Sequence, residues 1–216
     1  MILHKDRDGE ELGKLLHYLR NEQFRIGMTN GVFDILHPGH LQVIDSASRG
    51  VDYLIVGLNS DESVKKLKKS HITIQDEMSR AKVLVALKWV DSVVIYDEET
   101  PCNLLELIQP DVHFKGGDYD IDAMPETPIV RKHGGVVRLI PLLEGYSTTK
   151  IIQRIAYAAC PTIDSCPVRH GVGPRWFPDI CPDPISLEKG RRVLTWMEEK
   201  AEEELQRIEE VKENGD

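Results

Sequence analysis

The sequence predicts an α/β fold, a mainly parallel sheet with helices on both faces, followed by a loop-rich and helical C-terminal extension. Short runs rich in Val, Ile and aromatics alternate with amphipathic stretches, which is the pattern of βαβ crossovers. After Ile155 that alternation stops, and Pro, Cys and Gly crowd residues 160–184 with little periodicity. These two observations divide the chain into residues 1–155 and a 156–216 extension.

Each element has its own signal. Leu12, Leu15, Leu16 and Leu19 recur at helical spacing, so a first helix is expected over Asp8 to Arg20. Strands are expected at Phe24 to Met28, Tyr53 to Leu58, Ser92 to Tyr96, Val112 to Phe114 and Val136 to Ile140. Between them, helical patterns cover Leu41 to Ser48, Ser60 to Lys68, Asp76 to Lys88 and Pro101 to Gln109, the last with Thr100 as its cap. A weaker helix follows Thr127. In the extension, Leu194, Met197, Ala201, Leu205, Ile208 and Val211 step by three or four through a Glu-rich background. That stripe suits a homodimer contact and an intramolecular docking helix equally well.

Charge and hydropathy exclude some classes of function. The chain of 216 residues has a formal charge of −9, which disfavours a nucleic-acid surface because phosphate backbones demand clustered Lys and Arg. No apolar run reaches the roughly 20 residues that cross a bilayer. The first residues, MILHKDRDGEE, carry acidic groups where a signal peptide has its apolar stretch, and the expected location is the cytoplasm. Cys160, Cys166, His170 and Cys181 are either a Cys₃His zinc set of loose spacing or, as the better-supported reading, ordinary reduced thiols. No G-x-G-x-x-G follows the first strand and no Walker lysine motif occurs, which disfavours dinucleotide and P-loop proteins.

The chemistry concentrates in Thr29 to His40, TNGVFDILHPGH. Gly31 follows a strand and permits a tight turn with close backbone approach. A helix starting near Pro38 would point its free amides and positive dipole end out of the ligand-binding edge of the sheet. His37 and His40, three apart, would share one side of its first turn and form an anion cradle with those amides. Ligands in such sheets bind beyond the carboxyl ends of the strands, where Gly57 to Ser60 and Lys115 to Tyr119 also fall.

TNGVFDILHPGH resembles the (T/N)GxFDxxHxGH signature of the HxGH nucleotidyltransferases, a Rossmann-like family that transfers nucleotidyl groups onto phosphorylated small molecules. Ser147-Thr148-Thr149-Lys150 resembles the family's late motif at the start of its last helix. Within the family, GLNSDESVKKLK (residues 57–68), Arg80, PDVHFKGGDY (residues 110–119) and GGVVRLIPLLEGYSTTKII (residues 134–152) look like the adenylyltransferase domain acting on a heptose 1-phosphate. The chain departs from that branch at Lys69-Ser70-His71-Ile72-Thr73, where Gly-Pro-x-Arg-Pro is usual.

The resemblance implies attack by a sugar-phosphate oxygen on the α-phosphorus of ATP, with Mg²⁺ carried by the nucleotide and no protein metal ligand. It implies that His37 and His40 stabilise charge on the α-phosphate and the leaving pyrophosphate. Thr29, Asn30, Gly31, Val32 and Phe33, with Ser147, Thr148 and Thr149, would hold the triphosphate. Lys115, Gly116, Gly117 and Asp118 would reach the base or ribose, or form a simple turn. Lys68, and Lys65 less directly, would bridge the phosphates or face solvent. Asp34 would cap the helix or orient a histidine, Arg80 would grip a phosphate or brace its helix, and Asn59 would sit by substrate or cap the next helix. Two rival readings remain at this stage: a cytidylyltransferase for a polyol or alcohol phosphate, and a nucleotide-binding assembly module without turnover.

Overall fold

A computed structural model describes residues 1–67 and 73–158. Six parallel strands form one sheet: β1 (Ile2–His4), β2 (Ile26–Gly31), β3 (Tyr53–Asn59), β4 (Ser92–Tyr96), β5 (Val112–Gly116) and β6 (Val136–Ile140). Their order is β1-β4-β3-β2-β5-β6. The order reverses between β2 and β5, where Met28 pairs with His113 and Thr29 with Phe114. A crevice opens at such a reversal, because the loops on its two sides leave toward opposite faces.

Helices α1 (Gly9–Asn21), α2 (Pro38–Ser48), α3 (Asp61–Leu67), α4 (Glu77–Val85), α5 (Cys102–Ile108) and α6 (Glu126–Lys132) connect the strands. Ile44 and Ala47 of α2 and Ala81 and Leu84 of α4 pack with Leu54, Val56, Val93 and Phe114 on one face. On the other face, Leu12, Leu16 and Leu19 of α1, Leu104, Leu105 and Ile108 of α5 and Val130 of α6 pack with Met28, Ile55 and Val94. Both faces of the strands are therefore apolar, the sequence mark of a parallel sheet, and each fully buried Leu or Ile contributes about 1.5 to 3 kcal/mol.

The five expected strands are present, with informative differences at their ends. β2 begins at Ile26 and runs through Thr29, Asn30 and Gly31, so residues that read as a turn are still strand. Their ladder continues because β3 supplies Val56, Gly57 and Leu58 alongside them. β1 has only three residues and shows no alternation to detect, yet it adds an edge by pairing Leu3 with Val94. α4 ends at Val85 rather than Lys88, and the chain turns back through Leu87 to Val90. Pro101, not Thr100, is the cap residue of α5, and no side chain bonds the free amides there.

The chain divides into two compact units, residues 1–148 and 149–216. α7 (Thr148–Ala158) begins at the late motif, and its residues from 149 onward are the described part of the second unit. Cys160, Cys166, His170 and Cys181, and the stripe from Leu194 to Val211, lie outside the described residues. Among the described residues, no helix is long and apolar enough to cross a membrane.

Candidate active site

α2 starts where β2 delivers the chain to the carboxyl edge of the sheet. His37 is its N-cap in extended conformation, and Pro38 takes the first helical position, where its missing N–H costs nothing. The His37 carbonyl accepts from the His40 amide at 2.9 Å and the Leu41 amide at 3.2 Å. This turn stacks the two imidazoles with ring centroids 3.8 Å apart and planes 20° from parallel. The glycine between them leaves the ring room: a Cβ on Gly39 would lie 3.0 Å from Cε1 and 3.1 Å from Nδ1 of His37, close enough to push the ring by a few tenths of an ångström. Phe33 meets His40 edge to face at 5.2 Å. It does so from a left-handed backbone, φ +48°, a conformation that costs a non-glycine residue roughly 1 to 2 kcal/mol.

Both rings are uncharged at neutral pH. Burial lowers the His37 pKa, and burial with the adjacent His37 ring lowers that of His40 to about 4, against a weaker pull from the Ile35 backbone. Among the described residues, Nδ1 of each ring is buried without a hydrogen-bond partner. Buried polar atoms are ordinarily satisfied, so two adjacent exceptions at a helix N-terminus are suited to an incoming group. An anion placed there would find N–H donors, the positive end of α2 and two imidazoles that can take up protons.

Asp34 does neither of the things expected of it. Its buried carboxylate accepts from the Ile74 amide at 2.9 and 3.0 Å and from the Gln75 amide at 2.9 Å, while the Gln75 side chain donates to the Asp34 carbonyl at 2.6 Å. It thus staples the histidine loop to the segment following residues 68–72, and His37, not Asp34, caps α2. Arg80 resolves in favour of bracing. Its side chain is wholly buried, and it donates to the carbonyls of Val32 (2.6 Å), Asn59 (2.8 Å) and Gln75 (3.1 Å) and to the Asp61 carboxylate at 2.6 Å. One guanidinium therefore ties together three loops at the carboxyl edge. Asn59 is buried and donates to Ser63 Oγ at 2.8 Å, inside the first turn of α3.

The other expected positions fall in several places. Thr29 is buried within β2, while Asn30, Gly31 and Val32 are half-buried at its carboxyl end beside β5. Lys115 and Gly116 end β5. Gly117 follows at φ +142°, a backbone only glycine adopts readily, and a Cβ there would strike the Tyr119 ring at 2.5 Å. Asp118 is exposed, and the Gly117 amide extends the β5–β6 pairing by donating to the Ile140 carbonyl at 3.0 Å before the chain bends away. Ser147 and Thr148 are half-buried in the first unit, and Thr149 belongs to the second. Lys65 is exposed and pairs with Glu62 at 2.7 Å one turn earlier in α3. Lys68 lies outside the described residues. His133 ends α6, and its ring meets Glu106.

The sequence reading passed over three groups at this edge. Glu126 in the first turn of α6 pairs with Lys115 at 2.8 Å, Tyr96 ends β4 fully buried, and His113 lies within β5 with neither ring nitrogen bonded. Only His113, a histidine in the apolar run Val112 to Phe114, gave a local signal.

A reversal of strand order and an imidazole pair at a helix start on the same sheet edge are features suited to handling a phosphate. The family model described as cytidylyltransferase-like matches residues 28–154, and the chain belongs to that family, carrying a nucleotidyltransferase domain. It is 50% identical over 145 residues to "Bifunctional protein HldE" of Nitrobacter hamburgensis, covering 67% of this chain and 30% of that protein. It is 49% identical over 149 residues to the protein of the same name in a Bradyrhizobium species, covering 69% and 30%. The chain thus matches under a third of the length of these relatives. A crystal structure of a lipopolysaccharide core biosynthesis protein from Thermoplasma volcanium aligns at 27% identity with a TM-score of 0.46, over 57% of this chain and 99% of that one.

Proposed function

We propose that this protein transfers AMP from ATP to a sugar 1-phosphate of the heptose class, releasing pyrophosphate and forming an ADP-sugar. The observation that carries the reading is the stacked His37–His40 pair, with both Nδ1 atoms buried and partnerless at the start of α2. The adenylyl donor and the heptose acceptor rest on the likeness of residues 57–68, 110–119 and 134–152 to the heptose 1-phosphate adenylyltransferase domain, and relatives named HldE at about half identity support it. The expected location is the cytoplasm.

The acceptor is a phosphate monoester carrying about −1.5 to −2 charge at neutral pH, so its oxygen attacks without a general base. The protein's work is positioning and charge stabilisation. His37 and His40 lie uncharged before binding and donate to the α-phosphate and the departing pyrophosphate as charge grows there. The amides at the start of α2 hold the same oxygens, and the half-buried end of β2 lets the phosphates approach its backbone. Ser147 and Thr148 supply hydroxyls for the triphosphate. Lys68 is assigned the bridge between donor and acceptor phosphates, with Lys65 as its neighbour. Mg²⁺ carried by ATP would supply further neutralisation of the phosphate oxygens. Within the histidine loop, Asp34 has its carboxylate oxygens committed to the Ile74 and Gln75 amides, so the donor set fits a metal held by the nucleotide rather than by this loop.

The test is pyrophosphate release with Mg²⁺, ATP or CTP and a panel of sugar 1-phosphates and polyol phosphates, beside His37→Ala. Release with ATP and a heptose 1-phosphate, reduced at least a hundredfold in the variant, is expected. Release confined to CTP and a polyol phosphate would replace the reading with the cytidylyl one. Nucleotide binding without release from any pair would leave an assembly module.

A further inference from the structure

On the sheet face opposite α2, the carboxyl edge carries a row of polar side chains that the phosphate chemistry leaves unused. Glu126 on α6 pairs with Lys115 on β5 at 2.8 Å. The Lys115 ammonium also reaches Asn30 Oδ1 on β2 at 3.4 Å, and Asn30 Nδ2 donates to the Tyr96 hydroxyl on β4 at 3.2 Å. Asn59 on β3, the strand between β2 and β4, weakly opposes the rise in the Tyr96 pKa. The row thus crosses four strands and one helix, and its centre, Asn30 beside Lys115, stands on the two strands flanking the reversal of strand order. Behind it the face is apolar, with Met28, Leu104 and Val130 packed together.

The charges in this row set what it can recognise. Burial alone would push the Glu126 carboxyl up, but the Lys115 hydrogen bond and charge outweigh that and bring it below its ordinary value. Glu126 is therefore an anion and Lys115 its counter-ion, while burial pushes the Tyr96 hydroxyl up to about 12 and keeps it protonated. A net-neutral row with donors and acceptors in alternation repels a phosphate at its Glu126 end and matches hydroxyl groups, each of which both donates and accepts. A buried ion pair contributes little net stability, so its position at the ligand-binding edge calls for another use.

Building on the proposed sugar-phosphate transfer, we infer that Glu126, Lys115 and Asn30, the last held by the buried Tyr96 hydroxyl, form the specificity site for the hydroxyl-bearing, uncharged part of the acceptor. The acceptor then straddles the edge between β2 and β5. Its phosphate lies toward the histidines on one side of the sheet, and its hydroxyls lie on this row on the other. Lys115 serves the acceptor here, rather than the base or ribose of the nucleotide.

The experiment measures pyrophosphate release from ATP with a heptose 1-phosphate and its singly deoxygenated analogues, using the wild type, Glu126→Gln and Lys115→Met, with ATP affinity measured in parallel. Loss of a hydrogen bond to a charged partner predicts an acceptor KM raised about tenfold or more in Glu126→Gln, with kcat at saturating acceptor within about twofold and ATP affinity unchanged. One deoxygenated analogue should be penalised similarly on the wild type and lose no more on the variant, because the contact is already gone. An active wild type that accepts every deoxygenated analogue as well as the parent overturns the inference and leaves the transfer reaction standing, and this arm needs no folded variant. Raised ATP dissociation with unchanged acceptor KM in both variants would also overturn it and return Lys115 to the nucleotide. A wild type inactive with every sugar 1-phosphate overturns the reaction and this inference together.

Discussion

The histidine turn and the Arg80–Asp34 cluster sit side by side at the carboxyl edge and treat their polar atoms in opposite ways. Around Arg80 the groups are spent within the protein: the guanidinium serves three carbonyls and one carboxylate, and Asp34 takes the amides of residues 74 and 75. At the histidines, Nδ1 of both rings is buried and left without a partner. An unmade hydrogen bond on a buried group costs about 1 to 3 kcal/mol, so the second arrangement persists because the first holds its backbone in place. Residues that look alike in sequence, charged or polar and close to one motif, are thus divided into a bonded frame and an imidazole pair whose Nδ1 atoms are left unbonded among the described residues.

Breaking the frame should have the largest effect. Arg80→Met removes the guanidinium from three carbonyls and leaves the Asp61 carboxylate only the Thr73 hydroxyl and the Glu77 amide, and a loss of about 3 kcal/mol in unfolding free energy is expected by urea denaturation. A loss under about 1 kcal/mol would mean that water replaces the guanidinium and that the cluster is no frame.

The next effect is on acid stability and concerns the partnerless rings. Burial, with Lys115 nearby, lowers His113 from 6.5 to about 4, against the pull of Glu126 and the Met28 backbone, and His40 is lowered to the same value. Between those two pH values the unfolded chain binds more protons than the folded one. Stability is therefore full above pH 6.5, declines as pH falls and is lost by about pH 4. For fully buried His113 this amounts to about 3 kcal/mol, from the size of the displacement. His113→Leu should accordingly narrow the stability difference between pH 7.5 and 5, measured by denaturation at both. An unchanged difference would assign the acid loss to other groups.

The smallest effect lies outside both regions. Lys65 is exposed and, among the described residues, pairs only with Glu62 of the same helix, so Lys65→Ala should leave the thermal midpoint unmoved. A clear drop would extend the frame into α3.

Much of the fold was legible because local sequence and burial agree. Runs such as Ser92 to Tyr96 are apolar on both faces, and the Leu12, Leu16 and Leu19 stripe of α1 is the one the core buries. β1 was missed because three residues carry no period, and the end of β2 was missed because Asn30 and Gly31 favour turns when alone. The imidazole pair was legible as well, since a spacing of three with a proline and glycine between is enough to bring two rings together on a first helical turn. Asp34 was placed wrongly because its partners are about forty residues further along the chain, and Glu126 was overlooked because its partner Lys115 belongs to a different element.

By itself the sequence determined what depends on neighbours within a turn or a strand: the alternation of strands and helices, the start of α2, and the stacking of His37 on His40. Only the tertiary structure decided which polar groups are used up and which remain available. That division depends on contacts between residues distant in the chain, such as Arg80 with Val32 and Lys115 with Glu126, and on burial, which lowers the pKa of both histidines.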